Sequence, residues 1–468
     1  YKFNLKKYLY YINNMYKLSI FIFRRSFRLY DNIGLINALK NSKKVLPIFI
    51  FTPEQIKKNK YKSNNAIQFM IESLNELNKE LKEKKSKLYF FYGKQHKIIS
   101  KINKEIKIDS VYVNRDYTPY SIKRDKKIKK TCEKNNIKFF EFEDILLRPV
   151  GSVKTNDSVY LKFTPYFRAC TKIKVNKPTK NLYSNYFKKK IKCEYKKDIE
   201  KFYKFNEHIL IRGGRKEGLL KLNKINNFKK YNDKRNILSI STTHLSAYIK
   251  FGCISIREVY HKFKKKLQNN NQLISQLHWR DFYYNICFFH PHVIGKSLKS
   301  KYDNIEWDNN SNLFNKWKEG KTGYPVVDAC MRELNTTGYM HNRGRLIVAS
   351  FLVKILLVDW RKGEKYFATQ LTDYDVSVNN GNWQWVAGSG ADSQPYFRIF
   401  NPWLQSKKFD ENCEYIKKWV PELSEVKNND IHKWDLKYTS YKKVYIKPIV
   451  NYKEKRLNTL KIYKKLKY

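Results

Sequence analysis

The sequence is poor in the features from which chemistry is most often read. No two cysteines form a CxxC pair, and none lies at metal-ligand spacing from a histidine. The seven are scattered at positions 132, 170, 193, 253, 287, 330 and 413. An odd, scattered set argues against a disulfide framework and against structural zinc; it points to a reducing intracellular compartment, cytoplasm or nucleus, and to no bound metal. No apolar run approaches the ~20 residues of a membrane span, so no membrane partner is expected. Acidic residues are scarce as well: 42 Asp and Glu stand against 96 Lys and Arg, a formal charge of +54 over 468 residues. Such an excess points to a polyanionic partner, because Lys and Arg that neutralise phosphates release counterions. A chain rich in Lys, Asn, Ile and Tyr throughout gains positive charge without purpose, so charge alone is weak evidence. Residues 1–14 are rich in Tyr and Lys and lack the apolar core and cleavage site of a secretion signal. They precede Met15 and are expected to be an upstream extension.

Familiar catalytic motifs fail on inspection. Gly320-Lys321-Thr322 imitates the end of a phosphate-binding loop, but Asn315 stands where its first glycine belongs. Gly388-Ser389-Gly390 opens like a dinucleotide fingerprint, yet Ser393 fills the third glycine position and no first strand precedes it. His290 and His292 have no carboxylate or cysteine cluster nearby, which favours a loop or packing role. No Ser/His/Asp arrangement stands out.

What is present is a change of texture near residue 150. Up to 148, short apolar runs alternate with periodic segments: strands at 18–23, 45–51, 88–92, 110–113 and 138–142, helices at 34–41, 66–84, 98–106 and 122–135. This alternation predicts an α/β domain over 15–148 with a doubly wound, five-stranded parallel sheet. An irregular basic stretch, 149–205, reads as an interdomain linker wrapping the surface. Residues 206–468 are dominated by helical periodicity, as at 273–288, 325–334 and 342–357, and predict an all-α domain. At 468 residues, two cores are expected.

Aromatic residues make up 16% of the chain, and seven of its nine tryptophans fall between 300 and 425: Trp307, Trp317, Trp360, Trp383, Trp385, Trp403 and Trp419. Each alone is an ordinary core residue. Together they also suit a stacking surface for bases or a relay of oxidisable rings. Beside them, Gly338-Tyr339-Met340-His341-Asn342-Arg343-Gly344-Arg345 sets two arginines and an asparagine at a helix start, where a phosphate or base edge is easily met. Asp373-Tyr374-Asp375 adds two carboxylates before a polar turn.

These segments, with Gly320 to Pro325, Asp359-Trp360-Arg361, Asn379-Asn380-Gly381-Asn382-Trp383-Gln384-Trp385 and Pro395-Tyr396-Phe397-Arg398-Ile399-Phe400-Asn401-Pro402, resemble the photolyase/cryptochrome family. The resemblance runs from about Lys17 to the C-terminus, with Phe23-Arg24-Arg25-Ser26-Phe27-Arg28-Leu29-Tyr30-Asp31-Asn32 at the front and Lys447-Pro448-Ile449-Val450 near the end. Within the family it is most similar to class I cyclobutane pyrimidine dimer photolyases. There is no second histidine in 340–345, as in animal cryptochromes and (6-4) photolyases, and Asn379 stands where plant cryptochromes carry Asp and insect ones Cys.

The resemblance implies light-driven repair of damaged DNA by electron transfer from excited reduced FAD, in a monomeric enzyme. Tyr231, Thr242, Thr243, His244, Leu245 and Ser246 match the segment that holds FAD's phosphates and ribityl chain. Arg345 and Asp373 match an ion pair beside the flavin ring, Tyr374 and Asp375 the same contacting segment, and Asn379 the residue facing flavin N5. Trp383, Trp360 and Trp307 match the electron relay. Trp279 and Trp385 match the walls of the lesion pocket; Arg235, Gln276, Arg280, Asn342, Arg343, Leu346 and Gln405 match DNA- and lesion-binding positions. Gln276 departs from the usual Glu, and Leu346 from a common Met. The Asn114-Arg115-Asp116-Tyr117 segment differs from a folate-binding pattern, so a second antenna chromophore, folate or deazaflavin, is expected without its identity. The rivals are a cryptochrome-like photoreceptor without repair and, supported by charge only, a non-catalytic nucleic-acid-binding protein.

Overall fold

The structure, a computed structural model, describes residues 15–57, 59–155, 158–268, 271–441 and 443–466. The expected extension at 1–14 lies outside them. Five strands, β1 (Tyr16–Phe23), β2 (Ser42–Phe51), β3 (Tyr89–Tyr92), β4 (Ser110–Asn114) and β5 (Lys138–Phe142), form one parallel sheet in the order β3-β2-β1-β4-β5. The chain starts in the middle and winds outward both ways, as the alternation predicts. Its connecting helices include α1 (Ile33–Lys40), α2 (Asn64–Glu83), α3 (Gln95–Glu105) and α4 (Pro119–Lys134). Helices on both faces bury the central strand, so β1 reads as an almost continuous apolar run. The polar exception, Ser19, is answered within the sheet: its Oγ lies 2.6 Å from Ser42 Oγ and 2.6 Å from Ser110 Oγ.

The stretch 149–205 is less irregular than the sequence predicts. It contains α5 (Phe163–Thr171), whose short apolar face is hard to read between Pro165 and flanking lysines. Buried Arg148 donates to the carbonyls of Cys170 at 3.0 Å, Lys174 at 2.7 Å and Ile173, satisfying groups that a helix end leaves open. Farther on, Tyr186 bridges in parallel to Val45 on the half of β2 that short β3 does not reach. An otherwise open strand edge is thereby covered.

Beyond it the fold is helical, and its helices include α6 (Ser246–Phe251), α7 (Ile256–Lys266), α8 (Gln272–Phe289), α9 (Pro325–Thr337), α10 (Asn342–Lys354), α11 (Trp360–Gln370), α12 (Val376–Ala387) and α13 (Tyr452–Lys465). The segment following α6 closes onto the α/β domain. Gly252 ends α6 at φ +66°, and a Cβ there would sit 2.2 Å from the Arg25 carbonyl, so only glycine permits this approach. Next to it, Arg257 of α7 donates to Asp31 Oδ2 and Asp144 Oδ1, both at 2.9 Å, while Arg28 binds both Asp144 oxygens at 2.9 Å. All four side chains are buried. Burial by itself pushes the Asp144 carboxyl up, but Arg28 and Arg257 outweigh it and hold the group below the usual carboxylate range. The motif at 23–32 thus contributes Arg28 and Asp31 to a lock between the two halves.

Candidate functional site

Three separate stretches of chain converge on Asp373, in the turn between α11 and α12. Arg345, early in α10, donates from Nη2 to its two oxygens at 3.2 and 3.0 Å and from Nε to the Met340 carbonyl at 2.9 Å. Ser246, the first residue of α6, donates from Oγ to Asp373 Oδ2 at 2.7 Å. The Tyr339 ring lies 5.5 Å from the Arg345 guanidinium and 4.7 Å edge-on from the His244 ring, and its hydroxyl meets Thr242 Oγ1 at 2.8 Å. Thr242, His244, Ser246, Arg345 and Asp373 therefore form one connected cluster. Its hub, Tyr339, was quoted in the sequence motif without a role; an aromatic just ahead of a basic helix start was the available signal.

His244 holds φ +51°, a left-handed backbone that a non-glycine residue adopts only where its surroundings enforce it. Burial, then Lys221, lowers its pKa to about 4, so the ring is neutral near pH 7. Thr243 is half-buried beside it and Leu245 is buried. Tyr231 begins a short helix, with the Arg235 guanidinium 5.9 Å over its ring.

Asp375 and Arg280 are also tied into the protein itself. Asp375 caps α12, and its carboxylate accepts from Arg25 and, at 2.7 Å, from the Tyr284 hydroxyl. Arg280 donates to the Ile145 carbonyl at 2.6 Å and lies 4.9 Å over the Tyr284 ring. Both belong to a network joining the α/β domain to α8. Burial pushes the Asp375 carboxyl up, yet Arg25 and Arg280 hold it below its ordinary value. Lys250 beside them is pushed down to about 7, by burial first and then by Arg25. The half-buried Tyr374 links this network to the Asp373 turn by sequence; burial raises its phenol.

On α12, Asn379 donates from Nδ2 to the Glu364 carbonyl at 3.1 Å. That bond uses one of the two Nδ2 hydrogens and ties the amide to α11. One turn on, Trp383 is 2% exposed and Trp360 at the start of α11 is 1% exposed, both interior, whereas Trp307 is half-buried. Gly363 brings α11 against the Trp383 ring, since a Cβ there would lie 2.3 Å from its Cη2. Asn309, near Trp307, accepts from the Asp359 N–H at 3.1 Å, which sets the Trp307 and Trp360 backbones side by side.

On the basic face, Arg343 donates to Asn236 Oδ1 at 2.6 Å and lies 4.4 Å from the Phe409 ring centre, while Arg235 is held by Gln272. Asn342 is exposed at the same helix start. Gln276, Trp279, Leu346, Trp385 and Gln405 are half-buried, as side chains lining a surface pocket would be.

Comparison with known proteins adds the following. Residues 273–465 match the family model of the FAD-binding domain of DNA photolyase, and residues 19–182 that of DNA photolyase. A deoxyribodipyrimidine photo-lyase of Buchnera aphidicola subsp. Baizongia pistaciae is 37% identical over 96% of this chain and 98% of its own length. The crystal structure of the archaeal photolyase of Sulfolobus tokodaii, with two FAD molecules, superposes with a TM-score of 0.87 at 43% identity, covering 96% of this chain and 100% of that one. A Synechocystis cryptochrome superposes at 0.86 with 26% identity over 96% and 99%.

Proposed function

The chain belongs to the DNA photolyase family, and from that premise we propose that it repairs cyclobutane pyrimidine dimers in DNA under light, as class I photolyases do. It is a photolyase enzyme with an FAD-binding domain. The observation that carries the finer reading is the Asp373 cluster and its neighbour Asn379, whose donor set suits FAD. The hydroxyls of Thr242, Thr243 and Ser246 offer hydrogen bonds to phosphates and the ribityl chain, and Arg345 with Asp373 forms an ion pair suited to the polar edge of the flavin ring. Asn379, tied to the Glu364 carbonyl through Nδ2, offers its Oδ1 to an N–H at flavin N5, and as a neutral amide adds no formal charge there. When bound and fully reduced, FAD supplies on excitation the electron that opens the dimer, and the electron afterwards returns.

The protein's own residues hold, orient and exclude water. Arg235, Arg343 and the exposed Asn342 meet the phosphate backbone. Trp279 and Trp385 stack on the extruded lesion and keep solvent from it. Gln276 donates one hydrogen bond to a base carbonyl but, unlike a carboxylic acid, gives up no proton. Trp383, Trp360 and Trp307 refill the cofactor's electrons from the surface. The α/β domain holds a second chromophore, a folate or a deazaflavin; the archaeal relative's structure, with two FAD molecules, makes another FAD a third candidate.

A light-dependent repair assay on separate cyclobutane-dimer and (6-4) substrates tests this. Restoration of the cyclobutane dimers, under near-UV or blue light and not in darkness, is expected. The likeness to a cryptochrome keeps one rival in view: a protein that binds FAD and repairs neither lesion would be a photoreceptor instead.

A further inference from the structure

We propose that Phe163, carried on α5 of the interdomain segment, is a positioning residue that fixes the Trp279 indole as a wall of the lesion pocket. This deepens the repair reading above and rests on it. The two rings are stacked face to face, centroids 3.8 Å apart and planes 10° from parallel. Among the ring pairs of the described residues this contact stands out, because it uses up one whole face of a half-buried indole. The remaining ring neighbours of Trp279 leave the opposite face uncovered by any parallel ring: Phe282 meets it edge-on at 5.6 Å and 90°, and Tyr283 is tilted by 35° at 5.6 Å. A face-to-face stack on one side and an edge on another leave an indole little freedom to rotate.

Phe163 is itself firmly held. It is 7% exposed, stacks outward on Phe167 at 5.6 Å and meets the edge of Phe282 at 5.9 Å. The far end of its helix is bound by the Arg148 guanidinium. Just before it, the Leu161 carbonyl accepts from the Asp392 N–H at 2.9 Å, in the loop that follows α12, the helix of Trp385. One short segment thus touches the supports of both tryptophan walls. A pre-oriented indole gives its stacking energy to an extruded base without first paying for its own ordering, so Phe163 sharpens preference for damaged DNA, whereas intact duplex, held through phosphates, is indifferent to it.

The test compares Phe163→Leu, Phe163→Tyr and Phe167→Leu with the parent protein, measuring affinity for a duplex with one cyclobutane dimer and for the same duplex intact. Phe163→Leu keeps an apolar side chain and removes the ring face. It is expected to lower the damaged-over-intact preference about fivefold to tenfold while intact-duplex affinity holds within about twofold. Phe163→Tyr restores the ring and the preference. Phe167→Leu removes the ring behind Phe163 but not the one against Trp279, and is expected to lower the preference by less than Phe163→Leu does. An unaltered preference in Phe163→Leu overturns the proposal, as does a rise, which would mean that the ring obstructs the lesion. An equal fall in Phe167→Leu also overturns it, since helix stability would then be the cause. A parent protein with no preference for the dimer would instead remove the repair reading itself, and this role with it.

Discussion

Arginine and aspartate meet at several places in this protein, and two of these clusters are built to different degrees of closure. At the junction of the halves, Arg28, Asp31, Asp144 and Arg257 are buried, and every carboxylate oxygen accepts at least one hydrogen bond, from guanidinium, Ser255, Thr179 or Ile33. At the Asp373 cluster, the Arg345 side chain is 26% exposed, against 2% for Arg28. It is ringed by hydroxyls and by a histidine in a strained backbone. A buried pair with all its acceptors used has nothing left to offer a ligand, and removing one partner leaves a charge stranded. An ion pair that keeps one side open can still be completed by something else. Residue type alone does not distinguish structural from binding arginines here; closure does.

The largest effect expected from this contrast is at the junction. Arg257→Ala leaves the buried Asp31 carboxylate without its guanidinium and Asp144 with Arg28 alone, and should cost about 3–5 kcal/mol of folding stability, read by denaturant unfolding with and without FAD. The folded fraction should still take up flavin; loss of flavin without loss of stability would erase the distinction. Next is Asp373→Asn, which removes the cluster's carboxylate charge. FAD affinity should fall ~10–100-fold, about 1.4–2.8 kcal/mol, with the apoprotein destabilised by less than about 1 kcal/mol. Fluorescence titration of released flavin measures the first, thermal unfolding the second. A variant that unfolds but binds FAD normally would reverse the two roles.

The smallest effect is a separation in acid. His244 is ordinarily half-protonated at 6.5 and in the folded cluster only at about 4, so between those values the opened state binds more protons and the cluster weakens as pH falls. Asp144 runs the same way at lower pH. Its pKa is depressed from 3.8, so its contribution is complete above that value and is lost only as pH drops further, through the depressed one. Flavin should be released between about pH 6.5 and 4 while the helical circular dichroism signal persists. Coincident transitions would make the two clusters one cooperative unit.

Much of this architecture is legible in the sequence because its cause is local. β1 and β2 are apolar runs because both sheet faces are covered, and α2 shows its buried stripe from Ile67 to Leu81. The cluster of Thr242, Ser246, Arg345 and Asp373 was also reachable, since the family resemblance carries residue types at fixed positions. What was not legible is pairing across distance. Asp375 finds Arg25 350 positions away, and Arg257 finds Asp31 226 positions away. No spacing or periodicity records such choices, so the partners of Asp375 and Arg280 at the junction were not foreseen. Phe163 was missed for the related reason that one aromatic ring in a basic, irregular stretch carries no pattern.

The segment 149–205 also bears on how the protein can be taken apart. It is tied to the sheet edge at Tyr186 and to α8 at Phe163, and Asn185 donates to the carbonyls of Leu39 and Ser42. A spacer between independent halves would tolerate cutting at either end. Here, a fragment beginning near residue 206 would lose the ring behind Trp279, and one ending near residue 148 would leave the first half of β2 bare. Domain dissection should therefore keep this stretch with both halves, and a single proteolytic nick within it should leave the two pieces associated.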